Sequence, residues 1–304
     1  MIDVLLATHN GQAYLAEQLD SVLNQTYQDF RILIQDDGSR DGTMEIIREY
    51  CEAFPEKVRL CGEGSPPGGA ARNFLSLAAQ AKGDYVAFCD QDDVWLADKL
   101  EISMRAMREL EAADGGKEAA LVFSGVCPVD QELRRLRPSG KNEESPLRFA
   151  ALLVQNRASG CTMLCNRALY TRLGNYDSRI LMHDWWTALV ASALGKTLYL
   201  PQELVLYRQH GANAVGYTGR RSLRYWWKRA GKERPLQKKL DYYNQALLLR
   251  QRLGDAIEPP QRKILEEFLS IPEKRCKILR MRALLTGGFR KDSSVAQAIY
   301  LISI

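Results

Sequence analysis

The densest chemistry in the chain lies between Tyr85 and Trp95. Tyr85-Val86-Ala87-Phe88-Cys89 is β-prone and almost wholly apolar, which predicts a strand buried on both faces. Asp90, Asp92 and Asp93 follow at its C-terminal end. Carboxylates crowded this closely repel one another and raise each other's pKa unless a cation sits among them, and hard oxygen ligands suit Mg2+ or Mn2+. The residue pattern also allows a blander reading. It is an acidic turn opening a helix predicted over Trp95 to Glu111, with Asp93 as the N-cap.

The elements that must carry this cluster are legible upstream. Ile2 to Ala7 reads as a strand, Thr8-His9-Asn10-Gly11 as a turn and Tyr14 to Leu23 as an amphipathic helix. Phe30 to Gln35 is then a second strand ending in Asp36-Asp37-Gly38-Ser39, which completes a βαβ unit. A helix from Gly42-Thr43, a short strand Val58 to Leu60 and a helix Asn73 to Ala81 lead into the acidic strand. This alternation predicts an α/β fold with a mostly parallel sheet flanked by helices. Its strand ends at residues 8 to 10, 36 to 37 and 90 to 93 share one rim, where open α/β sheets bind ligands.

Two later motifs add polar groups. His183-Asp184-Trp185-Trp186 precedes an apolar helix from Thr187 to Leu194, and an Asp there serves equally as a helix cap. Strand-like Thr197 to Leu200 and Leu204 to Tyr207 lead to His210-Gly211-Ala212-Asn213. A lone His is commonly structural, yet one on a loop rich in small residues can reach a metal or phosphate when the loop closes. Asp36, Ser39 and Asp41 read as turn or cap residues. Gly115-Gly116 and Arg134 to Ser145 read as loops.

Six motifs agree in order and spacing with one family. Ala7-Thr8-His9-Asn10-Gly11, Gln25-Thr26-Tyr27, Asp36 to Thr43, Ala71-Arg72-Asn73, Gly83-Asp84-Tyr85 and Asp90-Gln91-Asp92-Asp93-Val94-Trp95 resemble the inverting GT-A glycosyltransferases of family two over about residues 1 to 216. The late Tyr207-Arg208-Gln209-His210-Gly211 is similar to that of the bacterial rhamnosyltransferase-like branch. Many relatives carry Tyr where this chain has His9. The resemblance implies a Rossmann-like GT-A domain, with a nucleotide-sugar half over about 1 to 100 and an acceptor half over about 101 to 216. It implies that Thr8, His9, Asn10, Asp37, Arg72, Asp90, Gln91 and His210 bind the donor, Asp37 by accepting an imide N–H of uracil or thymine. Asp92, with Asp90 and His210, is implied as the ligand set for Mn2+ or Mg2+. Asp184 is implied as the general base, with His183, Trp185 and Gly160 on the acceptor side. A single carboxylate base acting opposite the leaving group implies inversion. The implied partners are dTDP-rhamnose or a UDP-sugar as donor and a glycan or lipid-linked glycan as acceptor.

Composition fits a chain of 304 residues with one large core, 46% of them hydrophobic. The first strand begins at once and Asp3 interrupts it, so no secretory signal is read, and no apolar run reaches membrane-spanning length. Seven scattered cysteines fit buried thiols in a reducing cytosol; Cys161 and Cys165 are spaced to lie near each other on a helix. Charge divides sharply. Residues 1 to 216 hold 22 Lys and Arg against 29 Asp and Glu, whereas 217 to 304 hold 20 against 8. Such a basic helical extension points to an anionic partner. Arg220 to Arg229 mixes cations with Tyr225, Trp226 and Trp227, and Lys274 to Leu285 alternates cations with apolar residues, which suits an anionic membrane surface. The expectation is a cytoplasmic enzyme peripheral to the inner face of the cell membrane; ordinary packing helices are the alternative. No nucleic-acid signature accompanies the charge.

Three function classes stay in view. A metal-dependent inverting glycosyltransferase accounts for every motif. A nucleotidyltransferase would need a Gly-rich phosphate loop after the first strand, which is absent. A non-catalytic, membrane-associated carbohydrate-binding protein could keep the fold without turnover.

Overall fold

A computed structural model describes residues 1–62, 68–136, 147–210 and 235–302; for 235–239 it describes the backbone alone. Eight strands form one sheet in the order β3-β2-β1-β4-β7-β6-β8-β5. The N-terminal half is parallel: β1 (Ile2–Thr8) lies between β2 (Phe30–Asp36) and β4 (Tyr85–Asp90), and β3 (Val58–Leu60) flanks β2. Beyond β4 the sheet is mixed. The short β7 (Leu164–Asn166) runs antiparallel between β4 and β6 (Ala119–Val129), and β8 (Gly195–Arg208) runs parallel to β6. The mostly parallel α/β sheet expected from the sequence is thus present, with β6 and β7 added where no strand was predicted.

Successive side chains point to opposite faces, so strands buried on both sides need apolar residues throughout. Val86 and Phe88 enter one core and Ala87 and Cys89 the other. The first core is closed by α3 (Gly69–Gln80) and α7 (His183–Leu194). The second is closed by α1 (Leu15–Leu23), α2 (Thr43–Ala53) and α4 (Lys99–Glu111), the first of which packs Leu15, Leu19 and Val22 inward. Asp3 interrupts β1 and is fully buried, so its charge needs partners inside. Burial alone would raise its pKa, but Arg31 at 2.6 and 3.0 Å and the N–H groups of Lys82 and Gly83 bring it below the usual carboxylate range.

Several expected elements differ. The helix expected from Trp95 begins at Lys99, because Val94 and Trp95 form β5 and pair with Leu206 and Val205 of β8. The two strand segments expected at 197–200 and 204–207 are one strand whose register against β6 slips at Gly125. A Cβ at Gly125 would meet the Tyr199 hydroxyl at 3.1 Å and the Gln202 carbonyl at 3.2 Å, so the bulge is tight for any larger residue. Cys161 and Cys165 share no helix: one sits in a 3-10 turn, the other in β7, and all seven cysteines are free thiols.

The C-terminal helices α8 (Pro235–Leu253), α9 (Pro259–Leu269), α10 (Lys277–Thr286) and α11 (Ser294–Ile302) extend the first core. Leu249, Leu265, Phe268 and Leu284 are buried with α7, whose two tryptophans lie in the same cluster, and the Glu258 N–H bonds the Ala193 carbonyl. The stretch Arg220 to Arg229, Gly211 to Asn213 and part of the loop predicted over 134–145 lie outside the described residues.

Candidate active site

Pairing of β5 with β8 carries the end of β8 onto the acidic turn, and Arg208 fastens it there. Arg208 is fully buried. Its backbone N–H reaches Asp93 Oδ1 at 3.1 Å, its Nε donates to the Asp92 carbonyl at 2.9 Å, and its other nitrogens bond the Gln131 carbonyl and Glu17. Its guanidinium also lies over the Tyr14 ring, 4.6 Å from the centroid. Two residues on, His210 Nε2 sits 2.8 Å from Asp92 Oδ2, and the His210 ring packs 5.0 Å from Tyr14. Sequence reasoning gave Arg208 no role, although it stands in the Tyr-Arg-Gln-His-Gly motif.

Asp93 is not the helix cap. It is fully buried under the turn, and no side-chain bond caps α4. Burial, then repulsion from Asp90 and Asp92, raises its pKa well above the usual range. Asp90 is raised by the same burial and by Asp92 and Asp184. Asp90, Asp93 and the Cys161 thiol place ligand atoms within 4.8 Å of one another, a group able to hold a metal ion. Beneath them Lys99 is buried with its amine 3.5 Å from the centroid of the Trp95 ring, and burial lowers its pKa to about 8. Cys161, read from the sequence as an inert thiol, and Lys99 were missed; the Gly before Cys161 and the Asp-Lys opening of α4 carry no such signal.

Asp184 opens α7 across from this group. Burial raises its carboxyl to about 6, against the Trp185 N–H that it accepts at 2.6 Å and the nearby Asn156 side chain and Gly160 N–H, which favour the charged form. Gly160 is required here: a Cβ would lie 2.7 Å from His183 Nε2 and 3.2 Å from the Asp184 Cβ. His183 is itself stacked on Phe74 at 3.9 Å, with neither ring nitrogen hydrogen-bonded, and burial lowers its pKa to about 3, so the ring is neutral. Trp185 turns into the core and donates to the Leu152 carbonyl at 2.6 Å. His183 and Trp185 therefore lie behind Asp184 and support it.

The N-terminal rim is a lattice of side chain to backbone bonds. Gln91 Oε1 accepts the His9 N–H at 2.8 Å and its Nε2 donates to the His9 carbonyl at 3.0 Å, tying the ends of β1 and β4 together. Asn10 has φ 49°, a left-handed conformation Asn tolerates, and receives the Arg40 N–H. The Thr8 hydroxyl donates to Asp36, which organises the turn through Gly38 and Ser39, as its turn reading implied. Asp37 accepts the Gly68 and Gly69 N–H groups at 2.7 and 3.0 Å, at the start of α3. With His9, Asn10, Gly38 and Arg40 it lines a cleft of about 370 Å³. Arg72 is exposed on α3, which starts at Gly69 and not at Asn73; it lines a second groove with Asn175 and Tyr176, and its stem packs beside Gly68, whose N–H bonds Asp37.

Residues 3–170 match the family model described as glycosyl transferase family 2. The chain belongs to glycosyl transferase family 2. Among its relatives, a Shigella flexneri protein named dTDP-rhamnosyl transferase RfbG is 28% identical over 69% of this chain and 73% of its own length. An uncharacterised Mycobacterium tuberculosis protein is 28% identical over 76% of this chain and 64% of its own. The solved structure of S. aureus TarS with UDP-GlcNAc superposes with a TM-score of 0.60 at 15% identity, over 94% of this chain and 80% of that one. The Pyrobaculum calidifontis mannosyltransferase PcManGT with GDP-Man and Mn2+ does so with 0.54 at 17%, over 99% and 85%. The fold is thus that of the GT-A glycosyltransferases.

The Asp184 shift has a consequence for stability. A folded-state pKa of about 6 against 3.8 means that the folded protein binds this proton more tightly, so the wild type loses stability as pH rises from about 4 to about 6. Asp184→Asn removes that loss. It is expected to melt at a higher temperature than wild type at pH 8, with the gain fading toward pH 4; a melting temperature at or below wild type at pH 8 would refute the burial of this carboxylate.

Proposed function

We propose that the protein is an inverting, metal-dependent glycosyltransferase that moves a sugar, rhamnose from dTDP-rhamnose in the first instance, to a hydroxyl of a glycan or lipid-linked glycan. The observation that carries this reading is that Asp90 lies near enough to both Asp92 and Asp184 for each to raise its pKa, with His210 Nε2 2.8 Å from Asp92. Asp184 takes the proton of the acceptor hydroxyl, whose oxygen attacks the anomeric carbon as the bond to the diphosphate breaks on the opposite face. A base with a pKa near the working pH suits that step. The rhamnose donor is supported by the Shigella relative, whose name states that sugar nucleotide.

Asp92, Asp90 and His210 would hold Mn2+ or Mg2+, which supplies positive charge to the leaving diphosphate. The residues fit such an ion. Asp92 raises the pKa of Asp90, a repulsion that a cation would relieve, and His210 Nε2 stands 2.8 Å from Asp92 Oδ2. Asp37 with Thr8, His9, Asn10 and Gln91 would receive the nucleoside in the cleft, with Arg72 reaching the phosphates from α3. His183, Trp185 and Gly160 would shape the acceptor side by fixing Asp184. In this reading residues 1–216 form the catalytic domain and 217–304 a basic extension.

Titration calorimetry of dTDP with and without Mn2+ tests the donor site. Asp92→Asn is expected to weaken Mn2+-dependent binding roughly 10-fold or more, about 1.4 kcal/mol. Unchanged metal-dependent affinity removes Asp92 from the site.

No helix among the described residues is long and apolar enough to cross a membrane. We propose instead that the extension attaches to an anionic membrane surface on the cytoplasmic side. Ile278 and Ile302 are 76% and 70% exposed, and Lys274, Arg275, Lys277 and Arg280 lie beside the first of them in sequence. Each cation near such a surface contributes about 1 kcal/mol, and salt screens it over about 8–10 Å. The full chain should pellet with anionic vesicles at low salt, less at high salt, and less again as Ile278→Asp with Ile302→Asp. No pelleting with anionic vesicles at low salt contradicts attachment.

A further inference from the structure

The segment that holds Asp184 is itself held from far along the chain. Residues 153–159 link the helix α5 (Phe149–Leu152) to the turn at Gly160 without regular structure, so neighbours must fix their course. The Asn156 side chain lies near enough to Asp184 on one side to favour its charged form. On the other, two consecutive residues of the C-terminal region take hold of the backbone and side chains around Asn156. Lys291 Nζ donates to the Val154 carbonyl at 2.7 Å. The Asp292 N–H donates to Gln155 Oε1 at 3.1 Å, while Gln155 Nε2 donates back to Asp292 Oδ2, and Asp292 Oδ1 pairs with the Arg157 guanidinium. Lys291 is braced in turn: its ammonium meets the Tyr242 hydroxyl at 3.2 Å, and the Tyr242 ring packs against Trp185 at 5.4 Å.

We propose that Lys291 and Asp292 are positioning residues for the transfer reaction, clasping residues 154–157 so that Asn156 presents its side chain to Asp184. The proposal rests on Asp184 being the base. It makes the C-terminal helices part of the catalytic unit. The clasp lies partly at the surface, so its loss should leave global stability nearly unchanged. Geometry is a different matter, because displacement of a catalytic group by about 1 Å can reduce a rate up to 10²-fold.

The test uses the full chain as Asp292→Ala, with Asp292→Glu as the conservative variant and Lys291→Met in reserve should the first not fold. Hydrogen exchange read by mass spectrometry should show amides of residues 153–160 exchanging roughly 10-fold faster in Asp292→Ala, with β1 and β4 unchanged. Hydrolysis of dTDP-rhamnose in Mn2+, with water as acceptor, should fall roughly 10-fold while dTDP affinity stays within about twofold, and Asp292→Glu should recover part of the rate. Unchanged exchange at 153–160 overturns the clasp; faster exchange with an unchanged hydrolysis rate overturns its positioning role. If the wild type does not turn over dTDP-rhamnose, the proposed donor fails, and the exchange measurement alone decides the clasp.

Discussion

Arg208 is the interaction on which the site depends. A buried guanidinium must satisfy its donors inside the protein, and this one does so with the Asp92 and Gln131 carbonyls, Glu17 and the face of Tyr14. Those partners belong to the acidic turn, to the segment after β6 and to α1. One side chain therefore decides where three parts of the chain meet. Its own backbone N–H holds Asp93, and the residue two positions later brings His210 to Asp92. The rest of the hold on the end of β8 is strand pairing, with Val94 and Trp95 of β5 on one edge and Pro128 and Val129 of β6 on the other.

The carboxylates gathered there are left electrostatically incomplete. Asp3, as buried as Asp93, is compensated by Arg31 and two N–H groups, and its pKa falls. Among the described residues no ion pair with Asp90 or Asp93 is of comparable contact, and their pKa values rise. Lys99 lies near, yet its ammonium is spent on the Trp95 ring and is itself destabilised by burial. The contrast within one protein separates a structural carboxylate from those kept in a state that favours binding positive charge or a proton.

Much of the first half was legible because its signals are local. The apolar runs at β1, β2 and β4 and the i, i+4 pattern of α1 lie within single elements, and the turn chemistry of Asp36 with Ser39 lies within four residues. What escaped depends on distant partners. Asp93 has the sequence context of a helix cap and is drawn under the turn instead by Arg208, 115 residues on. Trp95 looks helical until β8 offers it a strand partner. His183 and Trp185 flank Asp184 in sequence, yet the core takes both rings. The basic balance of the extension concealed that its buried residues complete the core around α7.

The most direct measurement of this account is the metal-dependent affinity of dTDP for Arg208→Leu, a substitution that removes neither a proposed metal ligand nor the proposed base. If Arg208 sets the acidic turn and His210 in place, the variant remains folded by circular dichroism but loses roughly 10-fold or more of its Mn2+-dependent dTDP affinity in titration calorimetry. A folded Arg208→Leu that binds dTDP and Mn2+ as the wild type does would contradict it.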